Sequence, residues 1–269
     1  MIPTRTDDRT ASSAVPRSPL AGTRPEGAKD ESEAAHRVRE MFNRIAPRYD
    51  FLNHLLSFSF DRWWRRRAAR RFSHILRRPD ARVLDLCCGT GDLTFALESA
   101  AKAGNEEKGP QILGSDFALP MLALARAKAG RGNHYSRFLA SDALALPFAD
   151  ASFDLVAAAF GFRNLANYEN GLREIARILR PGGELGILEF AEPRSSLFAP
   201  AYRFYFQKIL PRIGGAISGS AAAYSYLPGS VAKFPNPQEL RKLIERAGFR
   251  NVSFEAWMGG IVALHRGQR

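Results

Sequence analysis

The spacing of apolar residues changes once along the chain. Val38, Met41, Phe42 and Ile45 recur at i, i+3, i+4 and i+7, which draws one apolar stripe along a helix starting near Ser32. Pro47 predicts the end of that helix. A second helix is predicted from Asp61, a candidate N-cap, to Arg78, with Trp64, Ala68, Phe72, Ile75 and Leu76 as its stripe. From Arg82 onward, short apolar runs alternate with helical stretches, the pattern of a parallel sheet covered by helices. Strands are predicted near 82–87, 111–115, 136–140, 153–160 and 184–190, separated by helices near 92–102, 119–129 and 168–180. Pro181-Gly182-Gly183 predicts a turn into the fifth strand. A late helix carries an N-cap at Asn236, Pro237 at its first position, Glu239 to close a capping box and Gly248 at its end. Residues 249–256 and 259–266 then predict two strands close enough to form a hairpin.

Composition narrows the class. A chain of 269 residues with 45% hydrophobic content buries a substantial core. Residues 1–33, punctuated by Pro, Gly, Ser and Thr, predict a disordered tail, and the net charge of +12 belongs to the rest. Segment 61–78 alone holds eight arginines against one aspartate. The two cysteines, Cys87 and Cys88, are adjacent, so they make a poor staple and give no sign of an oxidising compartment. No set of spaced Cys and His ligands predicts a metal centre. The opening residues lack the apolar core of a secretory signal, and no apolar run approaches the ~20 residues of a membrane span. A cytoplasmic protein is expected.

The chemistry gathers where strands end. The first predicted strand runs into Asp85-Leu86-Cys87-Cys88-Gly89-Thr90-Gly91-Asp92, and a Gly-x-Gly turn there lets a ligand approach the backbone. The third glycine of a dinucleotide fingerprint is replaced by Thr94. S-adenosylmethionine brings no phosphate. It brings a sulfonium, an ammonium, a ribose diol and an adenine, and so calls for carboxylates at several strand ends. Asp85, Asp116 and Asp142 stand at three successive ends, where open α/β sheets bind ligands. Asp116 suits the ribose hydroxyls and Asp142 the adenine amino group.

Asp85–Gly91, Asp116, DALALPFADASFD (142–154) and RILRPGG (177–183) resemble a class I S-adenosylmethionine-dependent methyltransferase. More narrowly, the chain resembles the demethylmenaquinone and polyprenyl-benzoquinol C-methyltransferases of quinone biosynthesis. That likeness rests on VREMFNRIAPRYDFLNHLLSFSFDRWW (38–64), LDLCCGTGDLT (84–94), FGFRN (160–164), RILRPGGELGILEF (177–190) and YSYLPGSVAKFPNPQEL (224–240). It implies a Rossmann-like fold: a seven-stranded, mostly parallel sheet with helices on both faces and an N-terminal helical lid. The corresponding division is a lid at 34–80, a cofactor-binding core at 81–192, a substrate- or membrane-facing insertion at 193–235, and a terminal helix and hairpin at 236–269. The resemblance further implies cofactor contacts at Gly89, Thr90, Gly91, Asp116, Asp142 and Ala143, and catalytic roles for Arg163, which would stabilise a phenolate or orient a water that takes its proton, and for Asn164, which would hold a quinol oxygen. Its substrate would be a polyprenylated quinol, demethylmenaquinol or a methoxy-benzoquinol, and a homodimer is compatible with it. Departures from the family pattern fall at Asp61, Ala159 and Ala191, and Cys87 stands where methyltransferases in general have the first glycine of the loop.

Other groups fit lesser roles. His36, His74 and His265 are poor candidates for a base, and His54 fits packing or capping in a lid segment whose Tyr49, Asp50 and Asn53 are expected to meet substrate. Cys87 and Cys88 lie on the cofactor side, which argues against a covalent nucleophile. The arginine-rich helix with Trp63 and Trp64, and the aromatic segment 197–213 with Tyr202, Tyr205, Phe206 and Ile209 on one face, suit peripheral contact with the inner face of the cell membrane. A basic chain also fits nucleic acid, but no recognition module is found, so a nucleic-acid partner is not expected.

Overall fold

Alternation along each strand decides which side of the sheet its residues cover. The computed structural model describes residues 22–25, 27–102, 109–191, 193, 200, 204, 205, 209 and 221–269. In β1 (Arg82–Leu86), Val83 joins one core with Leu93 and Leu97 of α4 (Asp92–Lys102). Leu84 and Leu86 join the opposite core with Leu172 and Ile175 of α6 (Tyr168–Ile178). The strand is therefore buried on both faces, as a central parallel strand must be. β2 (Gln111–Asp116), β3 (Arg137–Ala140), β4 (Phe153–Ala159) and β5 (Leu179–Phe190) pair in parallel around it. β7 (Val262–Gln268) inserts antiparallel between β5 and β6 (Arg250–Trp257). The order is β3-β2-β1-β4-β5-β7-β6, seven strands in one sheet, as the resemblance implied. α5 (Leu119–Arg131) returns from β2 to β3, and the predicted terminal hairpin is β6–β7.

The late helix forms as its chemistry dictates. α8 (Pro237–Arg246) is capped by Asn236, whose side chain accepts from the Glu239 N–H at 3.1 Å while Glu239 accepts from the Asn236 N–H at 2.9 Å. The helix before it, α7 (Ala221–Lys233), lies at the end of the predicted insertion. Most of that insertion, including Tyr202 and Phe206 of the aromatic segment, lies outside the described residues.

Several predicted boundaries move. α1 (Glu31–Leu56) runs straight through Pro47. An interior proline costs a helix about 3 kcal/mol. Here Ile45, Ala46 and Tyr49 pack on both sides of it against Ala118, Met121 and Val231, and that burial offsets the lost bond. The helix foreseen over 61–78 is two, α2 (Phe60–Arg70) and α3 (Ser73–Leu76). Ser73 Oγ donates to the Arg70 carbonyl at 2.7 Å, and the break turns Phe72 fully into the core. Asp61 is not the N-cap of α2, since Ser59 holds that position. The turn predicted at 181–183 is an irregularity inside β5, where pairing shifts between Phe153 and Leu155 and Gly182 takes φ +80°. Finally, the tail reading to residue 33 overlaps ordered chain. Asp30 caps α1 through the Glu33 N–H, and Thr23 N–H donates to the Leu165 carbonyl at 2.8 Å.

Candidate functional site

A cleft of about 960 Å³, counting the open solvent at its mouth, lies at the carboxyl ends of β1, β2 and β4, roofed by α1. Its floor is the bend after β1. Cys87, Gly89 and Gly91 all take positive φ there, +55°, +55° and +87°. A Cβ on Gly161, just past β4, would come within 2.4 Å of the Cys87 Cβ, so only glycine lets the two strand ends close on each other. Gly89, Thr90, Asp116, Asp142, Ala143 and Asn164 all line this cleft, which brings most of the residues singled out from sequence to one place.

Asp116 ends β2 and braces the bend. Its Oδ2 accepts from the Gly89 N–H and its Oδ1 from the Ala118 N–H, both at 2.8 Å. Each oxygen keeps one lone pair for a ligand. Burial pushes this carboxyl above its ordinary range, against those same backbone donors. Asp142 is exposed, and its Oδ1 accepts from the Leu144 N–H at 2.9 Å.

Asp85 differs from both. It is wholly buried, and Thr94 Oγ1 donates to its Oδ2 at 2.6 Å. Its Oδ1 is buried and has no hydrogen-bond partner among the described residues. Desolvation pushes the carboxyl up to about 7. An unpartnered buried carboxylate oxygen in a cleft fits a cationic ligand, and S-adenosylmethionine carries both an ammonium and a sulfonium. A bound cation would hold Asp85 ionised. Affinity for S-adenosylhomocysteine, which keeps the ammonium, is therefore expected to rise about tenfold from pH 6 to pH 8, because about a tenth of a group with pKa 7 is ionised at pH 6. Titration calorimetry across that range checks it, and Asp85→Asn should flatten the profile.

The N-terminal helices are tied to the bend by charge. Thr90 Oγ1 donates to Asp50 Oδ1 of α1, and Lys128 Nζ of α5 reaches Asp50 Oδ2 at 2.8 Å and Asp92 Oδ1 at 2.7 Å. Deeper among these helices, Asp61 accepts from Arg65 at 2.5 Å and Ser57 at 2.7 Å, and lies 2.9 Å from His54 Nδ1. These partners hold the Asp61 carboxyl well below the usual carboxylate range despite its burial. His54, Asp61 and Asp92 lie close enough to hold a metal ion, but Arg65 already places a cation against both carboxylates, at 2.5 Å and 3.9 Å. His54 is thus a packed, paired histidine. His265 is buried on the Pro237 carbonyl at 2.9 Å and pushed down to about 4. Burial also pushes both thiols well up, which leaves Cys87 and Cys88 unsuited to attack.

FGFRN divides its side chains between two layers. Phe160 (φ +60°) packs under the N-terminal helices against Trp64, and Arg65 lies 5.1 Å over its ring. Phe162 enters the core beside Tyr168 and Phe234. The single 3-10 turn Phe162–Asn164 then presents Asn164 to the cleft. Arg163 faces away from that opening. It is buried, its NH1 donates to Glu189 Oε2 at 3.0 Å and to the Phe160 carbonyl, and its N–H donates to Glu189 Oε1 at 3.0 Å. Tyr49, which does line the cleft, feels the charges of Arg163 and Arg65, but burial still raises its phenol. Sequence reading missed Glu189, Lys128 and Tyr226 as parts of the site. Glu189 and Tyr226 stand inside the quoted motifs, whereas Lys128 carries no local signal.

The sequence profile of the ubiE/COQ5 methyltransferase family matches residues 29–269. The chain belongs to that family. It is 50% identical over 229 residues to a protein of Thermus thermophilus named demethylmenaquinone methyltransferase, covering 85% of this chain and all of that one. A Deinococcus radiodurans protein of the same name is 48% identical, covering 89% of this chain and 95% of its own. A Geotalea daltonii protein named ubiquinone/menaquinone biosynthesis C-methyltransferase is 41% identical, covering 88% and 98%. Among solved structures, a SAM-dependent methyltransferase of Thermotoga maritima, a possible histamine N-methyltransferase, superposes with TM-score 0.56 at 20% identity, covering 85% of this methyltransferase and 98% of that chain. CalH in complex with SAH gives TM-score 0.56 at 18% identity, covering 78% and 58%. These likenesses show a shared fold.

Proposed function

We propose that this methyltransferase carries out S-adenosylmethionine-dependent C-methylation of a polyprenylated quinol, with demethylmenaquinol as substrate and menaquinol as product. The 50% identity to the Thermus demethylmenaquinone methyltransferase carries the choice of substrate. The second reading, a methoxy-benzoquinol of ubiquinone biosynthesis, is favoured by the dual name of the Geotalea relative. Purified protein supplied with either quinol under reducing conditions separates the two. Methylation of the naphthoquinol supports the first reading, and methylation of the benzoquinol alone overturns it.

When bound, S-adenosylmethionine supplies an electrophilic methyl group on a sulfonium. Asp85, Asp116 and Asp142 would hold its cationic, ribose and adenine parts, with Gly89, Thr90 and Ala143 forming the surrounding walls, while Gly91 shapes the bend without lining the cleft. The chain's task on the substrate side is to make an aromatic carbon nucleophilic, which means stabilising the phenolate of a neighbouring hydroxyl. Asn164 does so by hydrogen bond to the quinol oxygen. Arg163 does so by its charge, held in place by Glu189. Phe42, Tyr49 and Phe160 give the ring apolar walls that keep water from the site.

A polyprenyl chain resides in a bilayer. No described helix is long and apolar enough to cross one. Phe51, Phe58, Phe60 and Trp63, from the end of α1 to the start of α2, are exposed by 61%, 72%, 45% and 46%, and Arg62, Arg66 and Arg70 of α2 are exposed as well. That pairing of aromatic and cationic groups suits the surface of an anionic membrane. Co-sedimentation with anionic vesicles at low salt is expected, together with severalfold weaker binding for the Phe58→Ser, Trp63→Ser double variant. Equal recovery of both forms would sink the membrane reading.

A further inference from the structure

The segment before α1 is strapped across the far wall of the cleft. Thr23 N–H donates to the Leu165 carbonyl at 2.8 Å, and Arg24 NH1 donates to the Ala166 carbonyl at 2.6 Å. Glu31 Oε1 accepts from Arg24 NH2 at 3.3 Å and from Asn167 Nδ2 at 3.0 Å. At Gly22 (φ +132°) a Cβ would lie 2.2 Å from the Ala166 carbonyl oxygen, so glycine is what lets the strap lie this close. Leu165 and Ala166 themselves line the cleft, directly after Asn164.

The strap delivers one side chain to the site. Thr23 Oγ1 lies 2.9 Å from the Tyr226 hydroxyl of α7, and that hydroxyl lies 3.1 Å from Asn164 Oδ1. Counting protons settles the direction of this chain. Thr23 is buried, and its hydroxyl has no other partner among the described residues. If Thr23 donates to Tyr226 and Tyr226 donates to Asn164 Oδ1, every buried O–H is satisfied. In the reverse direction Asn164 would donate through Nδ2, Tyr226 would donate to Thr23, and the Thr23 proton would be left without an acceptor among the described residues, a cost of about 1–3 kcal/mol.

We infer that Thr23 and Tyr226 are positioning residues that fix the carboxamide of Asn164 with its NH2 group, not its carbonyl, toward the substrate. The cleft wall is thereby a hydrogen-bond donor to an anionic oxygen and a poor partner for a protonated quinol hydroxyl in need of an acceptor. This rests on the proposed contact between Asn164 and the quinol oxygen and adds its polarity. Such a donor lowers the pKa of the bound quinol, so turnover begins at lower pH than it would with a freely rotating amide.

The test is a cycle of variants, assayed with a short-chain demethylmenaquinol kept reduced by dithionite. Tyr226→Phe is expected to lower kcat about three- to tenfold below neutral pH. Its acid limb should move up by about half a unit to one unit, with unchanged affinity for S-adenosylhomocysteine. Thr23→Val, which leaves the phenol without its donor, should move the limb in the same direction by less, and serves as the readout if Tyr226→Phe fails to fold. In an Asn164→Ala background, Tyr226→Phe should add no further loss. If it lowers kcat as much there as in the parent, or if neither Tyr226→Phe nor Thr23→Val moves the pH limb, the positioning role is overturned. Full kcat in Asn164→Ala alone would instead overturn the contact on which it rests.

Discussion

Glu189→Ala is expected to lower the unfolding free energy by about 3–5 kcal/mol, the usual consequence of stripping one partner from a buried ion pair. Glu189 is 1% exposed and uses its carboxylate three ways. It accepts from the Arg163 N–H and NH1, both at 3.0 Å, and from the Phe190 N–H at 3.2 Å. Alanine there leaves the Arg163 guanidinium buried against the Phe190 ring with only the Phe160 carbonyl to receive it. It also frees the Arg163 N–H, in the middle of the 3-10 turn Phe162–Asn164. Glu189→Gln keeps one acceptor oxygen for the three donors and loses the charge and the other acceptor, so about half the penalty is expected. Urea unfolding followed by circular dichroism measures both. A midpoint for Glu189→Ala within experimental error of the parent would show that the pair contributes nothing. Catalysis separates stability from function. At a temperature where Glu189→Gln is fully folded, the proposed role of Arg163 requires its kcat still to fall, because the guanidinium is then free to leave the position in which Glu189 holds it.

That ion pair marks the boundary of what local sequence can convey. The bend after β1, the aspartates at strand ends and the capping box of α8 were readable because each is decided within a few residues: φ at Gly89 and Gly91, a side chain at a strand terminus, Asn236 with Glu239. Arg163 was readable as an arginine at the right strand end but not as a buried one. Its partner stands 26 residues away on β5, and only the parallel pairing of β4 with β5 brings them together. The strap is the same case at greater distance, with Thr23 and Tyr226 separated by 203 positions. Its composition resembles a solvated tail, and nothing within it announces that Leu165 and Ala166 offer carbonyls to hold it. Pro47 failed as a stop signal for a related reason: packing of Ile45, Ala46 and Tyr49 outweighed a local rule.

Asp116→Ala is expected to weaken binding of S-adenosylhomocysteine at least about a hundredfold. Two charge-assisted hydrogen bonds of about 1.5–3 kcal/mol each are at stake, and every 1.4 kcal/mol is a factor of ten. The loss has two parts. In the proposed site the carboxylate would offer its remaining lone pairs to the ribose diol, and it holds the bend itself through the Gly89 N–H and the start of α5 through the Ala118 N–H. Asp116→Asn tells the parts apart. Its single carbonyl oxygen can serve one of the two backbone donors, and its NH2 repels the other, so the bend loosens even where a ligand hydroxyl still finds a partner. An intermediate loss, about ten- to thirtyfold, is expected for Asn. Because both carboxylate oxygens brace backbone, Asp116→Ala should also lower the melting temperature of the ligand-free protein, and S-adenosylhomocysteine should no longer raise it. Calorimetric titration beside a melting curve gives both numbers. If Asp116→Ala binds within fivefold of the parent, the three-aspartate account of the cleft loses its central member. The cationic end of the ligand, held at Asp85, would then have to carry the affinity alone.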